Sequence, residues 1–190
     1  MLEVEVKASL SGVSISRLWD VVETEWGPCR AALRETDLYF NGNDRDFRKS
    51  DEALRLRSLI DAETGQPVET VLTYKGPKQD SVSNTRLEYE TSVGSGDIAR
   101  KLLEALGYQA VFTVDKIRRE YVLDDITLCL DTVTGLGEFL ELELLVSEQA
   151  QKEPAVARLL EMLAQLGVPQ ENLTQKSYLE LLMRQQREKQ

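Results

Sequence analysis

Histidine is absent from this 190-residue chain. The sequence therefore lacks the side chain that most often acts as a general base near neutral pH, which is also the commonest metal ligand in proteins. Any acid–base or metal chemistry has to rely on carboxylates, lysine, arginine, tyrosine or a hard metal ion. Catalytic classes built on histidine are excluded.

Cysteine is scarce as well. Only Cys29 and Cys129 occur, and their separation matches neither a metal-binding motif nor a disulfide framework. We therefore expect two reduced thiols that serve as structural side chains, as is usual for proteins of a reducing compartment.

Long hydrophobic runs are also missing. No stretch approaches the roughly 20 apolar residues that span a bilayer. The N-terminal sequence MLEVEVKASL has neither the basic start nor the apolar core of a signal peptide. The sequence thus predicts a cytoplasmic protein without a membrane partner.

Positive charge is in deficit, with 23 Lys and Arg against 33 Asp and Glu and a net charge of −10. A general nucleic-acid binder would show a basic patch or stripe, so no nucleic-acid partner is expected. A local basic site for a phosphorylated small molecule remains compatible with an acidic whole. Length and an apolar content of 42% predict one globular domain over residues 1–190.

What the chain does contain is apolar alternation of period two, which is typical of β-strands with two different faces. Eight strands are predicted, at Leu2–Ala8, Thr36–Phe40, Ala53–Ile60, Glu69–Lys75, Thr85–Val93, Phe112–Val122, Ile126–Asp131 and Glu138–Val146. Helical patterns occur at Ser14–Glu25, Asp97–Leu106, Pro154–Leu166 and Gln175–Arg187. Antiparallel strands bury their edges best by closing. The predicted fold class is α+β, an eight-stranded antiparallel β-barrel (tunnel) flanked by helices.

The second face of most predicted strands carries almost only Glu, Arg and Lys. In the first strand, for example, Glu3, Glu5 and Lys7 alternate with valines and a leucine. Solvent exposure would explain any single strand of this kind. However, acidic pairs lie near both ends of the chain and basic pairs lie between them. A barrel with apolar residues outward under helices, and charges inward, explains both features.

Such a charged interior requires ligands. Carboxylates within about 4–6 Å of one another repel, so they take up protons or gather around cations. Oxygen ligands without His or Cys suit Mg²⁺ or Mn²⁺. Converging Arg and Lys side chains suit an elongated polyanion. A complex of a metal ion with a triphosphate satisfies both the carboxylates and the basic side chains. We therefore expect a metal-dependent enzyme that acts on a small-molecule triphosphate.

The same residues belong to an ordered series of motifs. An ExExK sequence at Glu3–Lys7 is followed by Thr36–Phe40, Leu54–Arg57, Thr73–Pro77, Arg86–Glu90, Lys116–Arg118, Asp131, Gly135–Glu143 and Lys176–Tyr178. This series, which extends from Glu3 to Leu182, resembles the CYTH superfamily of triphosphate tunnel metalloenzymes. That superfamily contains class IV adenylate cyclases and thiamine triphosphatases.

The resemblance implies an eight-stranded tunnel that binds a triphosphate together with divalent cations. It implies metal ligands at Glu3, Glu5, Glu88, Glu90, Asp131, Glu141 and Glu143. It implies phosphate contacts from Lys7, Arg55, Arg57, Lys75, Arg86, Lys116, Arg118 and Lys176. The last of these lies on the C-terminal segment that closes one tunnel mouth in the family. Within the family, the likeness is closer to cyclase-type sequences.

Two reactions fit such a site. In a cyclase, the ribose 3′-hydroxyl of ATP attacks the α-phosphorus and pyrophosphate leaves. In a triphosphatase, water attacks the terminal phosphorus of inorganic triphosphate, thiamine triphosphate or a nucleoside triphosphate. The closer likeness to cyclase-type sequences ranks the cyclase first. A non-catalytic module that binds polyphosphate or nucleotide is a third reading, and a homodimer is compatible with the sequence.

If a general base is needed, Lys7 assisted by Tyr39 is the candidate. Crowding by Arg and Lys would lower the lysine pKa toward neutrality. For Tyr39, the alternative is an aromatic side chain that packs under a helix.

Overall fold

A computed structural model of the protein describes residues 2–78 and 86–189. The strands of this part are β1 (Leu2–Ser9), β2 (Ala31–Asn41), β3 (Ala53–Asp61), β4 (Pro67–Lys75), β5 (Glu88–Ser92), β6 (Gln109–Leu123), β7 (Ile126–Val133) and β8 (Gly137–Val146). Its α-helices are α1 (Ile15–Glu25), α2 (Gly96–Ala105), α3 (Lys152–Gln165) and α4 (Tyr178–Glu188). Short 3₁₀ turns occur at Gln149–Gln151 and Gln170–Asn172.

The strands form one antiparallel sheet in the order β1–β8–β7–β6–β2–β3–β4–β5. The sheet curls until side chains from both edge strands line the same cavity. No ladder joins β1 to β5 within residues 2–78 and 86–189, so the curled sheet is a half-barrel. The predicted class, an α+β fold with eight antiparallel strands flanked by helices, is confirmed in this form.

The element boundaries differ from the predictions mainly where tertiary pairing extends or shortens a strand. β2 and β6 are longer than predicted because they pair with each other from Ala31 to Asn41. β5 is shorter than the predicted strand over residues 85–93, and the first residue of that prediction, Thr85, lies outside the described residues.

The largest hydrophobic core lies outside the curled sheet. Outward side chains of β1, β7 and β8 pack under α1 and α3, and Val4, Leu142 and Leu159 are fully buried there. A smaller cluster packs α2 against β3 through residues that include Leu54 and Leu103. Because successive side chains of a strand alternate between its faces, this arrangement leaves the concave face to the charged residues. The predicted inside-out distribution is confirmed.

A third apolar cluster lies on the concave side. Val114, Val133 and Phe139 share the inward face of their strands with charged residues two positions away, and Tyr178 of α4 packs on them. The rings of Phe139 and Tyr178 meet edge to face, with centroids 5.0 Å apart. These side chains give one end of the concave face an apolar floor.

None of the described helices is both long enough and apolar enough to cross a membrane. The two cysteine thiols are free, with Cys29 exposed and Cys129 buried.

Candidate active site

The concave face of the curled sheet lines a cavity of about 590 Å³, called the lumen below. Asp131 is 1% exposed and does not line the lumen. The other predicted site residues all line it, namely Glu3, Glu5, Lys7, Tyr39, Arg55, Arg57, Lys75, Arg86, Glu88, Glu90, Lys116, Arg118, Glu141, Glu143 and Lys176. Most of these side chains reach the lumen because strand alternation turns them toward the concave face.

Two buried carboxylates that sequence reasoning missed neutralise the basic half of the lumen. In the antiparallel ladders, Asp37 lies opposite Arg57, and Glu35 lies opposite Lys116. Arg57 donates from Nε to Oδ1 of Asp37 at 2.6 Å and lies 2.9 Å from Glu35. Lys116 lies 3.3 Å from Glu35. The sequence did contain a signal for them. Residues 35 and 37 are four and two positions before Tyr39, so all three side chains lie on the same face of β2.

The electrostatics of Asp37 follow from these neighbours. Burial opposes its charged form, but Arg57 and Arg55 outweigh burial and hold the pKa of this carboxyl well below its usual value. Asp37 therefore stays ionised and fixes the orientation of both guanidinium groups.

One basic group of the lumen retains an unused donor. Arg55 is 7% exposed, and its Nη2 donates to Oγ1 of Thr73 at 3.2 Å. Among the described atoms, its Nε has no hydrogen-bond partner. A buried donor left unsatisfied costs about 1–3 kcal/mol. The guanidinium is thus ready to donate to an acceptor that enters the lumen.

The acidic half comes from the two neighbouring strands β1 and β8. Glu3, Glu5 and Glu143 each offer a carboxylate oxygen within 4.8 Å of the others, because Glu5 lies opposite Glu143 in the ladder. Burial raises the pKa of Glu143 to about 8, helped by Glu3 and opposed by Arg118. Burial and Glu88 raise the pKa of Glu3 to about 7. A hard divalent cation fits this set of oxygen donors and would relieve their repulsion.

Lys7 lies between the acidic strands. Its Nζ is 3.1 Å from Glu5 and 2.9 Å from Glu141. Burial alone would lower the pKa of Lys7, but Glu141 and Glu5 outweigh it and raise the pKa above the usual value. The expectation of a lowered lysine pKa is therefore wrong, because the nearest charged groups are carboxylates and not Arg or Lys. Burial, with Asp37, also raises the pKa of Tyr39. Both groups are protonated at neutral pH.

Asp131 has a different environment from the other acidic candidates. Its Oδ2 accepts from Lys116 at 2.8 Å, from Arg118 at 2.6 Å and from the Tyr178 hydroxyl at 2.9 Å. Its Oδ1 accepts from Nε of Arg118 at 2.8 Å. Four donors match the roughly four lone-pair sites of a carboxylate. The geometry makes Asp131 a buried counter-ion that holds two basic side chains in place.

The remaining predicted residues lie toward β5 and the C-terminal segment. Lys75 contacts Glu88 at 2.6 Å. The Thr73 hydroxyl donates to Glu90 at 2.9 Å. Arg86 reaches to 4.0 Å from Asp51, and Lys176 is exposed at the lumen wall. Lys75, Glu88, Glu90 and Lys176 are more exposed than the groups around Asp37 and Lys7, so water screens their charges more strongly.

Part of the lumen wall was not predicted. The loop before β3 and helix α4 add apolar side chains from Phe47, Leu179 and Met183, and basic side chains from Arg48, Arg184 and Arg187. Lys78, which follows β4, adds a further basic side chain. The loop residues follow no strand or helix period, so no sequence pattern assigned them to the site.

Comparison with known proteins identifies the family. Residues 1–178 match the CYTH domain. This chain belongs to the CYTH domain family. A Methanocaldococcus jannaschii protein, provisionally named an adenylate cyclase, is 42% identical over 147 residues, which cover 77% of this chain and 80% of that relative.

Solved structures of CYTH-like proteins share the fold. A Pyrococcus horikoshii protein superposes with a TM-score of 0.87 at 37% identity, covering 96% of this chain and 99% of that one. A Hippeastrum protein, described as an adenylyl cyclase candidate with a dominant triphosphatase activity, superposes with a TM-score of 0.61 at 18% identity, covering 88% of each chain. At that identity the second likeness concerns the fold alone.

Proposed function

We propose that this CYTH protein is a metal-dependent enzyme that converts ATP to cyclic AMP and pyrophosphate. The observation that carries the proposal is the division of one lumen into a carboxylate trio on β1 and β8 and a basic wall on β3 and β6. The name of the Methanocaldococcus jannaschii relative supports the same reaction.

The basic wall would bind the phosphates. Arg55 and Arg57 from β3, with Lys116 and Arg118 from β6, line the lumen. Guanidinium groups bind phosphate oxygens in bidentate fashion, and the free Nε of Arg55 provides a donor that needs no prior contact to break. The carboxylates now paired with these groups fix their orientation before the ligand enters. The remaining phosphate contacts are proposed for Lys7, Lys75, Arg86 and Lys176.

The metal would bind at Glu3, Glu5 and Glu143, the trio whose oxygens already lie within 4.8 Å of one another. We propose Mg²⁺ or Mn²⁺, which prefer oxygen ligands. When bound, such an ion supplies charge neutralisation on the phosphates and activates the attacking oxygen. Glu88, Glu90 and Glu141 line the same lumen, and their negative charges would favour binding of the cation.

The organic part of the substrate would lie near helix α4. Phe47, Leu179 and Met183 add apolar side chains to this part of the lumen wall, beside the basic Arg48, Arg184 and Arg187. The volume of about 590 Å³ falls in the range of about 300–1,000 Å³ that is typical of sites for drug-sized ligands. Three phosphates and a nucleoside would use this volume, whereas inorganic triphosphate would leave its apolar part unused.

The reaction forms a bond between the ribose O3′ and the α-phosphorus, and it breaks the bond from that phosphorus to the bridging oxygen of pyrophosphate. The proton of the 3′-hydroxyl is released in the same step and is taken up by the departing pyrophosphate. Lys7 and Tyr39 are protonated at neutral pH, so in this proposal they donate hydrogen bonds to developing negative charge and do not accept the proton. Burial of both groups strengthens such donation, because the local dielectric is low.

A triphosphatase is the second candidate. It would need only the metal trio and the basic wall, which are the better-defined halves of the lumen. The Hippeastrum protein, which has the same fold, is described as having a dominant triphosphatase activity, so this fold is compatible with the second candidate. Hydrolysis would attack the terminal phosphorus, so the apolar wall near α4 would be dispensable.

Product analysis separates these candidates. Adenine-labelled ATP is incubated with the protein and Mg²⁺ or Mn²⁺, and inorganic and thiamine triphosphates are run in parallel. Cyclic AMP with equimolar pyrophosphate is the expected result. ADP and orthophosphate alone would establish the triphosphatase, and tight binding without turnover would establish a non-catalytic binding module.

A further inference from the structure

The aromatic residue at the start of α4 contacts several charged groups of the lumen at once. Tyr178 is 7% exposed, and its hydroxyl donates to Oδ2 of Asp131 at 2.9 Å. Its ring lies 4.7 Å from Nζ of Lys7 and 5.2 Å from Nζ of Lys116. No metal or substrate role was predicted for it from sequence.

We propose that Tyr178 is a positioning residue that sets how firmly Asp131 holds Lys116 and Arg118, and thereby how available these two cations are to a triphosphate. The inference rests on the proposed function, because it needs a polyphosphate that competes for both cations.

The hydrogen-bond geometry carries the argument. Oδ2 of Asp131 is shared among Lys116, Arg118 and Tyr178 at 2.6–2.9 Å. A phenol that donates to this oxygen takes part of its negative charge, so less of that charge attracts the two cations. Without the hydroxyl, the carboxylate would be directed entirely at Lys116 and Arg118. A phosphate would then compete against a stronger internal anion.

The ring has a separate effect that the hydroxyl does not share. The ring attracts both lysine ammonium groups, and it packs edge to face with the ring of Phe139. Replacement of Tyr178 by Phe keeps these contacts and removes only the donor to Asp131. That substitution therefore isolates the proposed role from the docking of α4.

The surroundings of α4 fix this geometry. Ser177 and Glu180 form a capping box at the helix start, with Ser177 N donating to Glu180 at 2.7 Å and Glu180 N donating to Ser177 Oγ at 3.2 Å. The box determines the direction in which the first helical residue, Tyr178, enters the lumen. Nζ of Lys78, which also lines the lumen, lies 3.6 Å from Oε2 of Glu180.

The test is a double-mutant cycle of Tyr178→Phe and Asp131→Asn. The full-length variants are titrated with inorganic tripolyphosphate and Mg²⁺ by calorimetry, and each ligand-free melting temperature is measured. Tyr178→Phe should raise Kd about tenfold, equivalent to about 1.4 kcal/mol. In the Asp131→Asn background the same change should alter Kd by less than about twofold, since coupled residues are not additive. With ATP, the change should appear in KM and leave kcat nearly unchanged.

Tyr121→Phe is the matched control. Tyr121 is 1% exposed and belongs to the cluster under α1 and α3, so loss of its hydroxyl should leave Kd unchanged. Should Asp131→Asn fail to fold, Lys116→Gln replaces it, and the effect of Tyr178→Phe should shrink in that background too. Equal Kd for wild type and Tyr178→Phe, or an undiminished effect in the second background, would overturn the inference alone. No tripolyphosphate binding by the wild type would overturn the proposed function and the inference together.

Discussion

Four carboxylates of the lumen have pKa values that are shifted in opposite directions according to their neighbours. Asp37 and Glu141 lie beside Arg or Lys side chains that outweigh the effect of burial and hold their pKa values below the usual range. Glu3 and Glu143 are half-buried, and burial together with repulsion from neighbouring carboxylates raises their pKa values to about 7 and about 8. Asp37 and Glu141 orient basic side chains. A bound cation would be most favourable beside Glu3 and Glu143, because it would relieve the repulsion between them.

A substitution of Glu143 tests the metal site. Glu143→Gln should lose most divalent-dependent turnover, on the order of 100-fold, because a ligand and its charge are removed. The melting temperature without metal should stay the same or rise, since repulsion with Glu3 is relieved. Steady-state kinetics at several Mg²⁺ concentrations measure the first effect, and calorimetry measures the second.

Glu138→Gln is the matched control on the same strand, because residue 138 lies on the opposite face of β8 from Glu143. It should retain full metal-dependent activity. Equal turnover by wild-type protein with and without divalent ions would contradict the assignment of the trio as a metal site.

The basic wall can be tested without removing a charge. Arg55→Lys keeps the positive charge but loses the planar fork, including the unused Nε donor, so Kd for ATP should rise about tenfold. Arg34→Lys, at an exposed position of β2, should have no effect. Isothermal titration with ATP and AMP gives both values, and equal affinities for AMP and ATP would show that the phosphates are not the main determinant of binding.

At the scale of elements, strand faces were predictable and loops were not. Period-two alternation assigned Glu3, Arg55 and Glu141 to one face because a strand has only two faces. Phe47 and Met183 reached the lumen through a loop and the approach of α4, which depend on tertiary packing. The roles of Asp131 and Lys7 also depend on it, since only the three-dimensional pairing shows which opposite charges they meet.

Helix α4 differs from α2 in what its N-terminus controls. Both helices begin with a capping serine, Ser177 for α4 and Ser95 for α2. Removal of either cap should cost about 1 kcal/mol of stability. Of these two helices, only α4 places side chains in the lumen, whereas α2 packs on the convex side of the sheet.

Ser177→Ala and Ser95→Ala therefore form a matched pair. Both should lower the free energy of unfolding by similar amounts in urea titrations. Only Ser177→Ala should also weaken ATP binding, because Tyr178 loses its fixed entry angle. A comparable loss of binding in both variants would mean that global stability, and not α4 geometry, governs the affinity.

At the scale of the whole molecule, the hydrophobic core and the ligand site lie on opposite sides of one sheet. The clusters under α1, α3 and α2 stabilise the fold from outside, while the lumen holds charges whose balance depends on pH and ligands. The free energy of unfolding of the ligand-free protein should therefore change with the protonation state of the lumen side chains.

The free energy of unfolding without metal should fall as pH rises from about 4.5 to about 8. Glu3 and Glu143 have raised pKa values in the folded state, so the folded protein binds more protons than the unfolded chain in this window. The contribution of these groups is complete at the lower end and lost as pH passes through 7 to 8. Below this window the trend reverses, because Asp37 and Glu141 have lowered pKa values and lose their ion pairs on protonation.

Urea titrations across this pH range in EDTA measure the trend. Saturating Mg²⁺ should flatten it, because the ion binds the deprotonated carboxylates, and Glu143→Gln should reduce its slope. A stability that rises steadily from pH 4.5 to 8 in EDTA would contradict the raised pKa values.

The unclosed edges of the half-barrel give the acidic side chains a further consequence. In the described part of the chain, β1 and β5 are the edge strands, and the outer side of β1 has a bridge from Ala8 to Leu173. Such edges invite pairing with strands of other molecules. Inward-pointing charges on edge strands discourage that pairing, and Glu3 and Glu5 on one edge face the lumen together with Glu88 and Glu90 on the other. The residues proposed to gather cations thus also protect the protein from aggregation. Variants that neutralise several of them together should show this first as light scattering during concentration or refolding, before any loss of secondary structure.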